Sequence, residues 1–276
     1  MTRWAWVGRL AGFVALFMAC AFVFFIGAAL LTGSLGAGSS PVLDWWTVLP
    51  GLAAAFAATW VLAVTIDGRP LAWLGLRGGR RGAVELVLGS LAGMAIVGAT
   101  ILVLALAGWV SWSAGTHGGV LMALEVSLLL LAAAFAEELL FRGYPFRVLE
   151  GRFGPAVALG ATSVAFGLLH GGNPGIGPLA LVNLTLAGVM LGVAYWRSRS
   201  LWFVGGLHFG WNWALAASGL SVSGIEVSIS GLDPVVSGPP LWTGGTFGPE
   251  GGLTATFLTA LGTVWLWRIA GSGRGG

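Results

Sequence analysis

The chain contains no lysine: all 13 basic residues are arginine, set against 10 acidic residues, and charged residues make up only 8% of its 276 positions. So little charge cannot coat a water-soluble globule of this size. With 57% of the residues apolar, lipid is the expected solvent. A formal charge of +3 with no basic tract does not point to a nucleic-acid partner. The lone cysteine, Cys20, excludes an intramolecular disulfide. Placed inside the first apolar run, it reads as a small hydrophobe and says nothing of redox compartment. There is no His-Glu-x-x-His segment, the usual helical zinc-protease signature. No internal repeat is visible, which lowers a transporter reading.

What the chain does have is long apolar runs. Eight segments approach the roughly 20 residues that a bilayer core requires: 10–33, 45–66, 83–109, 119–144, 155–171, 178–196, 200–219 and 253–270. The first is too long for the h-region of a cleaved signal peptide, about 7–15 residues, and reads as a retained helix. The arginines provide an independent test, because positive charge collects in cytoplasmic connections. Arg3 and Arg9 precede the first segment; Arg69, Arg77, Arg80 and Arg81 lie between the second and third. Arg142, Arg147 and Arg152 follow the fourth, Arg197 and Arg199 separate the sixth and seventh, and Arg268 and Arg274 close the chain. The alternate connections, 34–44, 110–118, 172–177 and 220–252, carry no basic residue. The expectation is an all-α integral membrane protein, an eight-helix bundle forming a single transmembrane domain over 1–276, with N- and C-termini cytoplasmic.

Trp45, Trp46, Trp73, Trp109, Trp112, Trp202 and Trp242 fall near predicted helix ends, where an interfacial belt belongs. The external loop 220–252, rich in Gly, Ser and Pro, has a β-like stretch at Ile225 to Ile229 and reads as a small cap or mobile loop. The Gly-rich tail 271–276 reads as disordered.

The chemistry-bearing residues lie in a core spanning 119–219. Ionisable groups in membrane helices are expensive, and several at helical spacing suggest function. Glu137 and Glu138 project about 100° apart, and Glu138 lies one turn from Arg142. Arg142 can hold Glu138 ionised, leaving Glu137 free to face the bundle as a general base. A salt-bridged knot of all three is the structural alternative. His170 stands where the fifth segment stops, after Phe166. His208 and Asn212, at i and i+4, share a face that can hold an oxyanion, coordinate a metal or merely join two helices. His117, in a Gly-rich outer connection, reads as solvated. Asn183, Thr185 and Glu125 read as packing or cavity-lining groups.

These residues carry a resemblance. Glu-Glu-x-x-x-Arg, then Phe-x-x-x-His, then His-x-x-x-Asn, in that order on separate helices, is similar to the CPBP family of intramembrane proteases. That family comprises the type II CAAX prenyl endopeptidases and their lysostaphin-resistance and bacteriocin-immunity relatives. The likeness is close over about 137–212. It implies hydrolysis of a peptide bond, with Glu137 and His170 activating a water, and with His208 and Asn212 stabilising the oxyanion. Glu138, Arg142 and Phe166 support them. No cofactor is favoured. The competing account is a zinc site of Glu137, His170 and His208 with one open position. A non-catalytic scaffold or immunity factor is the rival from another class. The implied partners are the lipid bilayer and a membrane-associated peptide or protein, prenylated or not, and the implied location is a bacterial plasma membrane.

One tension concerns depth. Glu137 lies about two turns above the inner end of its helix, whereas His170 lies some 15 residues, at about 1.5 Å each, above the start of the next. The favoured remedy is a fifth helix that starts low and stops short, with Gly171 to Gly177 lining a cavity. That cavity is expected to open toward the cytoplasm.

Overall fold

The structure is a computed structural model that describes residues 5–32, 44–115 and 119–269. His117 and the tail 271–276 lie outside the described residues. The helices are α1 (Ala5–Thr32), α2 (Trp45–Thr59, prolonged by a π-helical stretch Trp60–Ile66), α3 (Arg80–Leu106), α4 (Val120–Phe141), α5 (Tyr144–Phe153), α6 (Pro155–Leu169), α7 (Pro178–Ser198), α8 (Leu201–Ala217), α9 (Pro240–Thr243) and α10 (Leu253–Ile269). Local chemistry explains several starts. The Asp44 carboxylate accepts the Thr47 N–H at 2.8 Å, and the Ser200 hydroxyl accepts the Phe203 N–H at 3.1 Å, capping α2 and α8. Pro155 and Pro178 open α6 and α7, where the missing N–H costs nothing.

Among the described residues, five helical stretches are long and apolar enough to cross a membrane: Ala5–Leu30, Trp45–Ile66, Arg80–Leu106, Val120–Phe153 and Pro178–Ser198. Their outer faces expose large apolar side chains such as Phe22, Leu106 and Leu121, as lipid contact requires. These stretches account for five of the eight segments expected from the sequence. At 1.5 Å per residue, α6 with 15 residues and α8 and α10 with 17 each are shorter than a hydrocarbon core of about 30 Å.

The packing of α3 on α8 comes from small residues. An added Cβ at Gly89 or Gly93 would fall inside van der Waals distance of the Phe203 or Leu207 carbonyl, and one at Gly206 or Gly210 inside that of Leu86 or Ser90. Two reciprocal Gly-x-x-x-Gly faces thus bring the backbones together, and His208 lies between the glycines of α8.

The arginine-bearing connections gather at one end. Arg9 reaches Asp67 at 2.6 Å, Arg199 reaches Glu150 at 2.6 Å, and Arg197 lies over Trp267 at 5.5 Å. From the opposite end, the 220–252 connection folds back onto the helices. The strand there is not at Ile225–Ile229: β2 is Leu232–Val236, paired antiparallel with β1, Val110–Ala114. Both lie in connections rather than spans, so each supplies the backbone partner that the other needs.

Candidate active site

The chain turns at Gly154, whose φ of 84° suits glycine. Glu137 lies seventeen residues before that turn and His170 sixteen after it. Helices α4 and α5 descend about as far as α6 rises, so the two side chains meet at one level. The depth tension is resolved by α5, which carries the chain beyond the end of α4, and by the short α6.

Three helices, α4, α6 and α8, converge on the site. The Oε2 atom of Glu137, buried and without a hydrogen-bond partner among the described residues, lies 3.7 Å from His170 Nε2 and 3.9 Å from His208 Nε2. His170 Nδ1 lies 2.8 Å from the Phe166 carbonyl, and His208 Nδ1 lies 2.9 Å from Glu138 Oε1. Carbonyl and carboxylate oxygens only accept, so each Nδ1 carries the proton and each Nε2 faces Glu137.

Glu138 and Arg142 are fully buried and paired at 2.9 Å. Arg142 also donates to the Gly188 carbonyl at 2.8 Å and lies 4.8 Å from the centre of the Phe166 ring. Glu138 is thus committed to Arg142 and His208 while Glu137 is not, which is the division expected of the two carboxylates. Asn212 is 9% exposed, and its carboxamide has no hydrogen-bond partner among the described residues.

A cavity of about 280 Å³ joins Glu137, His170, His208 and Asn212 to Asn173 and Ser223. Its walls also include Ala133 and Leu130, one and two turns toward the start of α4, and residues of the 220–252 connection. The Glu138–Arg142 pair lies on the other side. Along α4 the walls extend from Leu130 to Leu140 and Phe141, and Val222, Ser223, Ile225 and Val227 of the 220–252 connection complete them. That connection enters the bundle instead of standing outside it.

Its entering element is a tight turn. Val222 and Ile225 exchange backbone hydrogen bonds at 2.9 Å around Ser223 and Gly224, both at positive φ. The Ser223 carbonyl accepts from Asn173 Nδ2 at 2.7 Å. Its N–H and hydroxyl donate to Glu250, which also accepts from Trp211 Nε1 at 2.9 Å. Burial pushes the Glu250 carboxyl above the usual carboxylate range, although the Ser223 and Trp211 donors pull it down. Sequence reading missed Glu250, because a carboxylate in a Gly-rich connection looks solvated. Asn183 holds the same connection, donating to the carbonyls of Glu250 and Gly252 at 2.8 and 2.9 Å. Thr185 donates to the Leu181 carbonyl of its own helix at 3.0 Å, and Glu125 accepts from Trp45 away from the site.

Among the described residues, no three His, Cys, Asp or Glu side chains form a group arranged to hold a metal ion. No curated protein matches the chain. Residues 119–214, which carry all three sequence patterns, match the family model of Type II CAAX prenyl endopeptidase Rce1-like proteins, in keeping with the resemblance of those patterns to the CPBP family.

Proposed function

We propose that the protein is an intramembrane endopeptidase of the CAAX prenyl protease type, in which Glu137 and His170 activate a water. The carrying observation is the convergence of Glu137 Oε2 on the Nε2 atoms of His170 and His208 inside a walled cavity. Three acceptors facing one another favour a guest that brings protons, and water is such a guest. Glu137 takes a proton as the water oxygen attacks the scissile carbonyl, and His170 orients it. The oxyanion is held by Asn212 Nδ2 and by His208 Nε2 when that atom carries a proton, a charge that Glu138 behind the ring balances. Collapse breaks the C–N bond, and the proton held by Glu137 passes to the leaving amine.

In this reading Phe166 and Arg142 fix the two imidazoles, and both termini and the arginine-bearing end lie in the cytoplasm, following the charge rule. The substrate is a membrane-associated peptide, with a prenylated C-terminus as the first candidate. Purified protein in lipid vesicles, given farnesylated and unmodified peptides with and without chelator, tests substrate and metal together. Cleavage abolished by chelator and restored by zinc replaces the water-activating account with the metal one. Cleavage that survives Glu137→Ala at equal protein level removes this mechanism, and a phenotype that survives it without any cleavage favours a scaffold.

A further inference from the structure

A second cavity, of about 460 Å³, lies at the arginine-bearing end of the bundle. Arg9, Arg69 and Arg147 line it with Asp67, Glu150 and Trp73. Both carboxylates are already engaged. Asp67 accepts from Arg9 at 2.6 Å and from the Tyr144 hydroxyl at 2.8 Å, and Glu150 accepts from Arg147 at 2.9 Å and Arg199 at 2.6 Å. Arg69 is exposed and has no carboxylate within ion-pair distance among the described residues. Arg147 Nε is buried without a hydrogen-bond partner among the described residues.

The guanidinium carbons of Arg69 and Arg147 lie 5.9 and 4.8 Å from the centre of the same Trp73 ring. Two cations drawn to one indole, beside acids already paired, leave a positive surplus in a walled space. Planar guanidinium forks match phosphate oxygens. The cavity also lies where the apolar α1 and α2 meet their polar ends, the level of lipid headgroups, and basic recesses between helices there suit anionic phospholipids.

We propose that this cavity binds the phosphate of an anionic phospholipid headgroup, with Arg69 and Arg147 as its principal ligands. The site is independent of the hydrolytic reading. Lipid retention by the detergent-purified full chain tests it, measured by native mass spectrometry during titration with phosphatidylglycerol, phosphatidylcholine or inorganic phosphate. Phosphatidylglycerol is retained in preference to phosphatidylcholine. Arg69→Gln weakens that retention about fivefold. Arg69→Lys falls between the two, and thermal unfolding in phosphatidylcholine shows whether each variant is folded. Arg80→Gln, an exposed arginine at the same end but outside the cavity, leaves retention unchanged. Equal weakening by Arg69→Gln and Arg80→Gln reduces the effect to general surface charge and overturns the site. Full competition by inorganic phosphate at equal concentration overturns the lipid assignment in favour of a free anion.

Discussion

His208 donates its Nδ1 proton to Glu138 at 2.9 Å, joining the two adjacent-carboxylate and His-x-x-x-Asn patterns across seventy residues of chain. Through this bond one carboxylate of the pair becomes structural and leaves the other free. The consequences separate stability from activity.

Glu138→Ala strands Arg142 in a site with no solvent exposure and releases the His208 ring. A buried pair broken on one side costs about 3–5 kcal/mol. Thermal unfolding in detergent should show that loss together with loss of cleavage.

Glu137→Gln behaves oppositely. Its Oε2 has no hydrogen-bond partner among the described residues to lose, so unfolding is nearly unchanged. Peptide cleavage falls by about 10²- to 10⁴-fold, the range for a general base. A variant that unfolds early would assign Glu137 to structure instead.

With Asn212 as the proposed oxyanion donor, Asn212→Ala is expected to lower kcat by about 10²- to 10³-fold and to change KM little. A change confined to KM would make Asn212 a ground-state binding group.

Glu250→Ala leaves the Ser223 N–H and the Trp211 indole unpaired, at about 1–3 kcal/mol for each buried donor. The turn at Ser223 forms one wall of the cavity, so KM rises along with the stability loss. Cys20 is the chain's single cysteine, so a Val227→Cys reporter in a Cys20→Ala background can follow the wall by maleimide labelling. Unchanged labelling in Glu250→Ala would mean that the carboxylate does not hold the turn.

Asp67 sets a pH dependence. Burial alone pushes its carboxyl up, but hydrogen bonds from Arg9 and Tyr144 outweigh that and hold it below the ordinary 3.8. Its folded-state pKa is depressed, so its stabilisation is present above that ordinary value and is lost as pH falls through the folded one. The difference in unfolding temperature between the chain and Asp67→Asn should vanish in strong acid. A difference that instead grows on acidification contradicts the pairing.

Helix positions were legible in the chain because lipid demands long apolar runs, and the arginines at Arg9, Arg69, Arg147 and Arg199 marked the end at which they gather. The partition of Glu137 from Glu138 was legible too, since one turn of helix places Arg142 beside only one of them. Gly89, Gly93, Gly206 and Gly210 stood at readable spacing, yet their pairing needed the meeting of α3 and α8.

By itself, then, the sequence determined a helical membrane chain and the residue types of the site, because bilayer length and helical spacing act locally along the chain. Only the tertiary structure decided that Glu137 and His170 share a level, that α6, α8 and α10 are short, and that the Ser223 turn, held by Glu250, walls the cavity. Those facts depend on contacts between distant segments, such as the turn of 220–252 entering between helices, and no local period or propensity encodes them.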